Sequence, residues 1–581
     1  MNKRYLLSLC AVVLFALALR TAVCIALSGT AAVRAPAVVT DMATYLRLAR
    51  EISRGQWPSH FDYQPFYYTV LLPFCRLFSG DSPWGYMLVQ TLLGSLAVLL
   101  TGLVAAQAFR SRRTGLLAAL LLAISRMHVF YTPFALFELL QSFWMILLLW
   151  LAFQCMARNR LRLWAATAFI LGLATLTRGN ILLFLPALLL LFFRMNRTAR
   201  AIPAALLLLL LFELPQLPYA IRNARFLGRW TGASTAGEKV LALGNNPEAP
   251  PGGLEYPLSY HKWVEQAERT ENRVPVAREI LRWLAREPVL FLNLQWEKLL
   301  LFWNAQEIPN NVSLEHEGKA APWLALLPSF GPLALLALFA IFSHGKRYTP
   351  EQGALLVALL LFWLATAMFY ILARFRVAAL PLLACFAADG ISRLISAART
   401  RKRGGEWLHP LFRLCCAAFL VYSLYPLWQE RMEPQLHRWL RPDGTRLRFP
   451  DTTLVHDHGP LLSGGVRFCQ SKETVHLRKT LLLPEHESAT STITVRLATL
   501  PHAPANASVE CQGARFTAHC RQDSACGWLE AELPLEAGTS VLQLDWILPP
   551  GVPYAIDTLR DYGRTEGAGI AGEAVAQAQF Q

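Results

Sequence analysis

Long apolar runs separated by short basic loops fill roughly the first 430 residues, and an alternating polar–apolar pattern replaces them in the tail. A membrane-crossing helix needs about 20 mostly apolar residues. The runs that approach this length are Tyr5–Leu27, Gly85–Phe109, Gly115–Tyr131, Leu139–Met156, Leu163–Leu176, Ile181–Phe193, Ala201–Tyr219, Trp323–Phe342, Gly353–Leu372, Val377–Ile395 and Leu411–Leu427. They predict a mainly α, polytopic membrane protein with about 11 transmembrane helices, several of them short. The first run follows Lys3 and Arg4 and exceeds the roughly 7–15 residues of a signal-peptide core, so it reads as an uncleaved first span.

Loop charge sets the expected orientation. With the N-terminus in the cytoplasm, the inside loops hold Arg110/Arg112/Arg113, Arg158/Arg160/Arg162, Arg194/Arg197/Arg200, Lys346/Arg347 and Arg399/Arg401/Lys402/Arg403. Each short inside loop is then basic, as the positive-inside rule requires. Three longer segments fall outside: 28–84, 220–321 and the tail 431–581. The expected division is a membrane domain over 1–430 and an extracytoplasmic β-sandwich-like domain over 431–581. Within the second outside segment, Trp283–Trp303 reads as an interfacial helix.

Composition agrees with a membrane location. Charged residues are 16% of the chain, against roughly 25% in soluble proteins, and mean hydropathy is +0.34. The net charge of +16 lies in the inside loops, without a phosphate-cradling glycine loop, a zinc-finger spacing or a basic helix with interleaved aromatics. Nucleic acid is therefore excluded as a partner.

The tail reads as strands, with alternation in Ser491–Leu497 and Ser540–Trp546. Four cysteines lie there (Cys469, Cys511, Cys520 and Cys526), and an even set outside the cytoplasm predicts one or two disulfides of open pairing. His456-Asp457-His458 has a metal-compatible spacing but reads more simply as a polar loop, so no metal is assigned.

Chemistry concentrates in the first outside segment. Asp41 opens an amphipathic helix that places Asp41, Tyr45, Ala49 and Ile52 on one face, with Arg47, Arg50, Glu51 and Arg54 mainly on the others. A carboxylate at the lipid–water boundary is a candidate general base; the plainer reading is a helix-capping acid after Thr40. Arg178, Arg222, Arg374 and Arg376 all fall at outside ends of spans, where a guanidinium suits phosphate or simply snorkels. Glu138 heads the fourth span and would be costly facing lipid, so it either holds a substrate or pairs with an arginine. Tyr45, Tyr63, Tyr67 and Tyr68 line a sugar site or form an interfacial aromatic belt. Arg20 and Glu213 are further charges in apolar runs, with no role assigned.

These pieces occur in an order that resembles the GT-C glycosyltransferases, specifically bacterial relatives of the protein O-mannosyltransferases and of the lipid A aminoarabinose transferase. The ordered set is Asp41-x3-Tyr45-x3-Ala49-Arg50-Glu51, Gly55-Gln56-Trp57-Pro58, Tyr63-Gln64-Pro65-Phe66-Tyr67, Glu138, Gly172–Arg178, Arg222-Asn223 and Arg374-Phe375-Arg376 before Pro381. The resemblance covers residues up to about 400 and leaves out the tail. It implies an inverting glycosyltransferase of a bacterial inner membrane, moving a sugar from a polyprenyl-phosphate donor to a hydroxyl of a glycan, lipid or protein. Asp41 is then the base, Arg376, Arg374, Arg178 and Arg222 contact the donor phosphate, and Glu138, Tyr45 and Tyr67 bind substrate. No cofactor is expected. Two departures stand out: Met42 replaces a second acid beside Asp41, which argues against a metal held by adjacent carboxylates. Gln64 stands where a lysine commonly precedes the proline. The rival class is a polytopic lipid or sugar-lipid transporter, which should carry internal repeats and broken helices at the midplane.

Overall fold

The computed structural model describes residues 3–36, 40–247, 249–253, 258–269, 275–344, 348–400, 408–432, 436, 466–482, 490–500, 507–522, 527–536, 541–557, 565–567 and 573–580. All eleven apolar runs contain helix, but fewer than eleven are built to cross a bilayer unaided. Among the described residues six helices are long and apolar enough: Lys3–Leu27, Trp84–Ala108, Glu138–Arg158, Pro322–Phe342, Pro350–Ala367 and Arg374–Ala398. Ala201–Glu213 and Leu217–Leu227 make a seventh if their 65° bend is counted within one span. Pro215 lies between them, and its missing N–H and its ring break the helical ladder there. Leu161–Thr177, Gly179–Met195 and His409–Tyr422 are shorter apolar helices. The run Gly115–Tyr131 is not one span. It is a helix Arg112–Ala123 that ends at Ile124, then a short helix Arg126–Phe130. The chain is a multi-pass membrane protein.

Close helix contacts rest on small residues, as in other membrane bundles. A Cβ on Gly115 would lie 2.6 Å from the Gly102 carbonyl oxygen, so the helices Trp84–Ala108 and Arg112–Ala123 touch backbone to backbone. Gly172 plays the same part beside Phe212, whose carbonyl oxygen would be 2.2 Å from an added Cβ.

The first outside segment holds the amphipathic helix Asp41–Ser53. Thr40 caps it, its hydroxyl accepting from the Ala43 amide at 3.3 Å. Met42, Tyr45, Ala49 and Ile52 are buried, while Arg47 and Glu51 pair on the exposed side at 2.9 Å. Past Pro65 the chain is helical: Tyr67–Leu71 is a π-helical turn continuing into the helix Leu72–Ser79.

The chain divides into two compact units. One comprises Met1–Gly237, Glu297–Glu307 and Glu317–Arg431; the other comprises Glu238–Trp296, Ile308–His316 and Met432–Gln581. The second unit therefore takes most of the second outside segment together with the tail. The interfacial helix expected over Trp283–Trp303 is instead two, Val276–Arg286 and Pro288–Trp303, parted where Pro288 follows Glu287. Among the described residues the tail is antiparallel β-structure in three sheets. Strand Thr490–Thr499 pairs with Gly527–Glu536, and Val475–Leu482 with Val541–Leu548. Inward residues of both sheets, among them Leu477, Val495, Leu497, Leu533, Leu544 and Trp546, share one core, the packing of a β-sandwich. The disulfide expectation is not met among the described residues: Cys469, Cys511 and Cys520 are free thiols. Cys526 and His456-Asp457-His458 lie outside the described residues.

Candidate active site

Three elements far apart in sequence bring their charges together in the first unit. Asp41 stands at the start of its helix, Glu138 at the start of Glu138–Arg158, and Arg374 in the 3₁₀ turn Arg374–Ala379. Arg374 Nη2 donates to Asp41 Oδ2 at 2.6 Å, and Arg374 Nη1 lies 3.6 Å from Glu138 Oε1. Arg374 and Glu138 are buried, while Asp41 keeps 20% of its side chain exposed. One guanidinium thus sits between two carboxylates, only one of which meets solvent. Such burial is tolerable because each charge faces its opposite. Neither Glu138 oxygen makes a hydrogen bond, and Arg374 Nε and Nη1 make none either. A ligand with both donor and acceptor groups fits that surplus.

Arg178 completes the cluster. Its guanidinium lies over the Phe375 ring, 3.6 Å from the centroid, and Arg374 approaches the same ring at 5.1 Å. Its Nη1 donates to Gln141 Oε1 at 3.3 Å. Arg178 and Arg374 thus share one aromatic ring, which places two guanidinium groups close together.

Arg376 and Arg222 do not join them. Arg376 is buried and donates to main-chain carbonyls, Asn304 at 2.6 Å and Gln306 at 2.5 Å, with Phe330 beneath it. Arg222 holds the Pro58 carbonyl at 2.7 Å on an exposed surface. Both are tethers for loops. The reason is spacing: in a 3₁₀ turn residues two apart point in different directions, so Arg374 and Arg376 serve different partners.

The tyrosines form a wall under Asp41. Tyr45, one turn along, stacks on Tyr68 with centroids 6.1 Å apart and meets Tyr63, Tyr67 and Phe137 at 5.7 to 5.9 Å. Tyr45 and Tyr67 are 4% and 0% exposed, which leaves them little surface for direct contact with a substrate. Burial, with the Asp41 carboxylate close by, pushes the Tyr45 phenol well above its ordinary value, so it stays neutral.

Sequence reasoning missed Gln141, Phe375, Gln90 and Glu307. Gln141 was within reach: it follows Glu138 by three positions and shares its helix face. Glu307 carried no signal of its own. It lies near Arg376 and Arg126, and burial raises its carboxyl despite their pull. A mainly apolar cavity of about 830 Å³ lies away from this cluster, along the far half of Glu138–Arg158, where Leu148, Leu188, Arg194 and Val357 line it.

Residues 63–219 match the family of dolichyl-phosphate-mannose-protein mannosyltransferases. Glu138, Arg178 and Tyr67 fall inside the matched segment; Asp41, Tyr45, Arg222, Arg374 and Arg376 fall outside it. No curated protein matches the chain. Solved structures similar to it include the oligosaccharyltransferase AglB from Archaeoglobus fulgidus, in complex with an inhibitory peptide and a dolichol-phosphate. That likeness has 17% identity and a TM-score of 0.41, covering 77% of this chain and 58% of that one. ArnT from Cupriavidus metallidurans, bound to undecaprenyl phosphate, is 14% identical with a TM-score of 0.36, covering 74% of this chain and 72% of ArnT. The arabinosyltransferase EmbB from Mycobacterium smegmatis is 13% identical with a TM-score of 0.28, covering 94% and 66%. The chain thus spans 58% of the archaeal protein's length.

Proposed function

We propose that the protein is an inverting glycosyltransferase that takes a sugar from a polyprenyl phosphate and passes it to a hydroxyl on the outer face of a bacterial inner membrane. The observation that carries this reading is the clustering of Arg374 and Arg178 near Asp41, a carboxylate that keeps 20% of its side chain exposed. Asp41 accepts the proton of the acceptor hydroxyl as its oxygen attacks the anomeric carbon. The bond from that carbon to the phosphate oxygen breaks, and its electron pair leaves on the lipid phosphate. One displacement inverts the centre. Arg178 and the unused donors of Arg374 receive the charge that grows on the phosphate, where a partly dry site makes their attraction count most. Glu138 balances Arg374 from behind and offers an acceptor to a sugar hydroxyl. The basic inside loops support placing this cluster on the face away from the cytoplasm, where nucleotide sugars are absent and a lipid must carry the activated sugar.

Purified protein is assayed with a panel of undecaprenyl-phosphate-linked hexoses and pentoses, with native membrane extract supplying acceptors. Loss of the base in Asp41→Asn lowers transfer at least about 100-fold. Transfer by Asp41→Asn at the wild-type rate overturns the assignment of the base. Consumption of no donor by the wild type overturns the reading itself.

A further inference from the structure

Between Tyr131 and Glu138 the chain is irregular, and this stretch sets where the helix bearing Glu138 begins. It is held from inside the bundle by Gln90, a fully buried residue of Trp84–Ala108. Gln90 Nε2 donates to the Thr132 carbonyl at 2.8 Å and the Phe134 carbonyl at 2.7 Å. Its Oε1 accepts from the Tyr67 hydroxyl at 3.0 Å. Both amide hydrogens and the carbonyl are engaged, and a flipped amide would set a carbonyl oxygen against two others. The position is therefore specific to glutamine. Tyr67 in turn packs edge-on against Tyr45, one turn along the helix from Asp41.

A second link secures the same stretch from behind. Arg20, buried in the first span, donates to His128 Nδ1 at 2.7 Å and to the Ala16 carbonyl at 3.1 Å. Arginine has no acceptor, so Nδ1 carries the lone pair and His128 Nε2–H donates to Ser142 Oγ at 2.9 Å. Ser142 follows Glu138 by one helical turn. Arg20 packs so closely on the neighbouring helix that a Cβ on Gly94 would lie 2.7 Å from its Nε.

We propose that Gln90 is a positioning residue: it ties the turn that launches Glu138 to the tyrosine wall under Asp41, fixing the two carboxylates on either side of Arg374. This rests on the glycosyltransferase reading above. Its test uses the full-length protein in nanodiscs with the undecaprenyl-phosphate sugar that the wild type consumes, comparing Gln90→Met, Tyr67→Phe and the double variant. Tyr67→Phe removes one oxygen and keeps the ring, so it leaves the fold in place. Each single variant should lower kcat about tenfold or more, a modest share of what small misplacements cost, while donor KM stays within about twofold. The double variant should be no slower than Gln90→Met, because both changes cut one link. Wild-type kcat in both single variants, losses that add in the double, or a KM rise that matches the fall in kcat each overturn the proposal. Asp41→Asn run beside them separates the two ideas. Its inactivity with unimpaired Gln90 variants sinks the clamp alone; full activity in Asp41→Asn sinks the assignment of the base on which the clamp rests.

Discussion

Asp41 and Arg374 are bound to each other at 2.6 Å, so neither acts alone. Lysine at 374 keeps a positive charge but loses the planar fork that reaches Asp41 and Glu138 together. Arg374→Lys should therefore lower kcat by about tenfold or more even though charge is conserved; steady-state kinetics with the preferred donor checks this. On the proposed reading Arg178 contacts the donor phosphate, so Arg178→Ala should act mainly by raising donor KM. A rise in KM no greater than that of Arg222→Ala, whose guanidinium only holds a loop, counts against a phosphate contact. The Arg374 guanidinium lies where a cation shared by Asp41 and Glu138 would sit, so transfer should proceed at an unchanged rate in excess EDTA. A rate lost in chelator and restored by a divalent ion rules that out. The sequence named Asp41 as the acid opening an amphipathic helix, Glu138 as a charge costly to face lipid, and Arg178 and Arg374 as guanidinium groups at outside span ends. It did not separate Arg374 from Arg376, since that distinction lies in the direction a 3₁₀ turn points two nearly adjacent side chains.

At the scale of the element, the helix Asp41–Ser53 was legible: a cap, an acid in the first turn and an apolar stripe are local facts. Its cap is also testable. Thr40→Ala removes the acceptor for the Ala43 amide and should cost about 1 kcal/mol, read as earlier proteolytic cleavage in this helix than in wild type. The apolar runs were legible as helices, but their breaks were not. Hydropathy averages over a window and does not register that the helix Arg112–Ala123 ends at Ile124, or that Pro215 turns a chain through 65°. Where helices touch through backbone, one carbon is enough to part them. Gly172→Ala places a methyl against the Phe212 carbonyl and should cost about 1–3 kcal/mol as an overpacked contact. Thermal unfolding in detergent measures it, and an unchanged midpoint refutes the close approach.

For the molecule as a whole, the two parts of the sequence speak in different periods, 3.6 along the spans and 2 in the tail, which is why the passage from helices to strands was visible. Grouping of Glu238–Trp296 with the tail was not visible, because helical segments of mixed polarity look alike wherever they pack. Orientation is the prediction proper to this scale. A cysteine introduced at Trp57 or in the strand Val541–Leu548 should react with a membrane-impermeant maleimide in intact spheroplasts, and one at Arg160 only after lysis. Labelling in the reverse order inverts the topology and removes the argument for a lipid-borne donor.

Arg376 grips the chain through the carbonyls of Asn304 and Gln306, not through their side chains. A tether of that kind is blind to spelling. Position 306 is free to change its side chain over evolutionary time while the loop stays moored one residue from Phe375 and two from Arg374. Whatever this loop meets, its preferences can drift without disturbing the charges beside it.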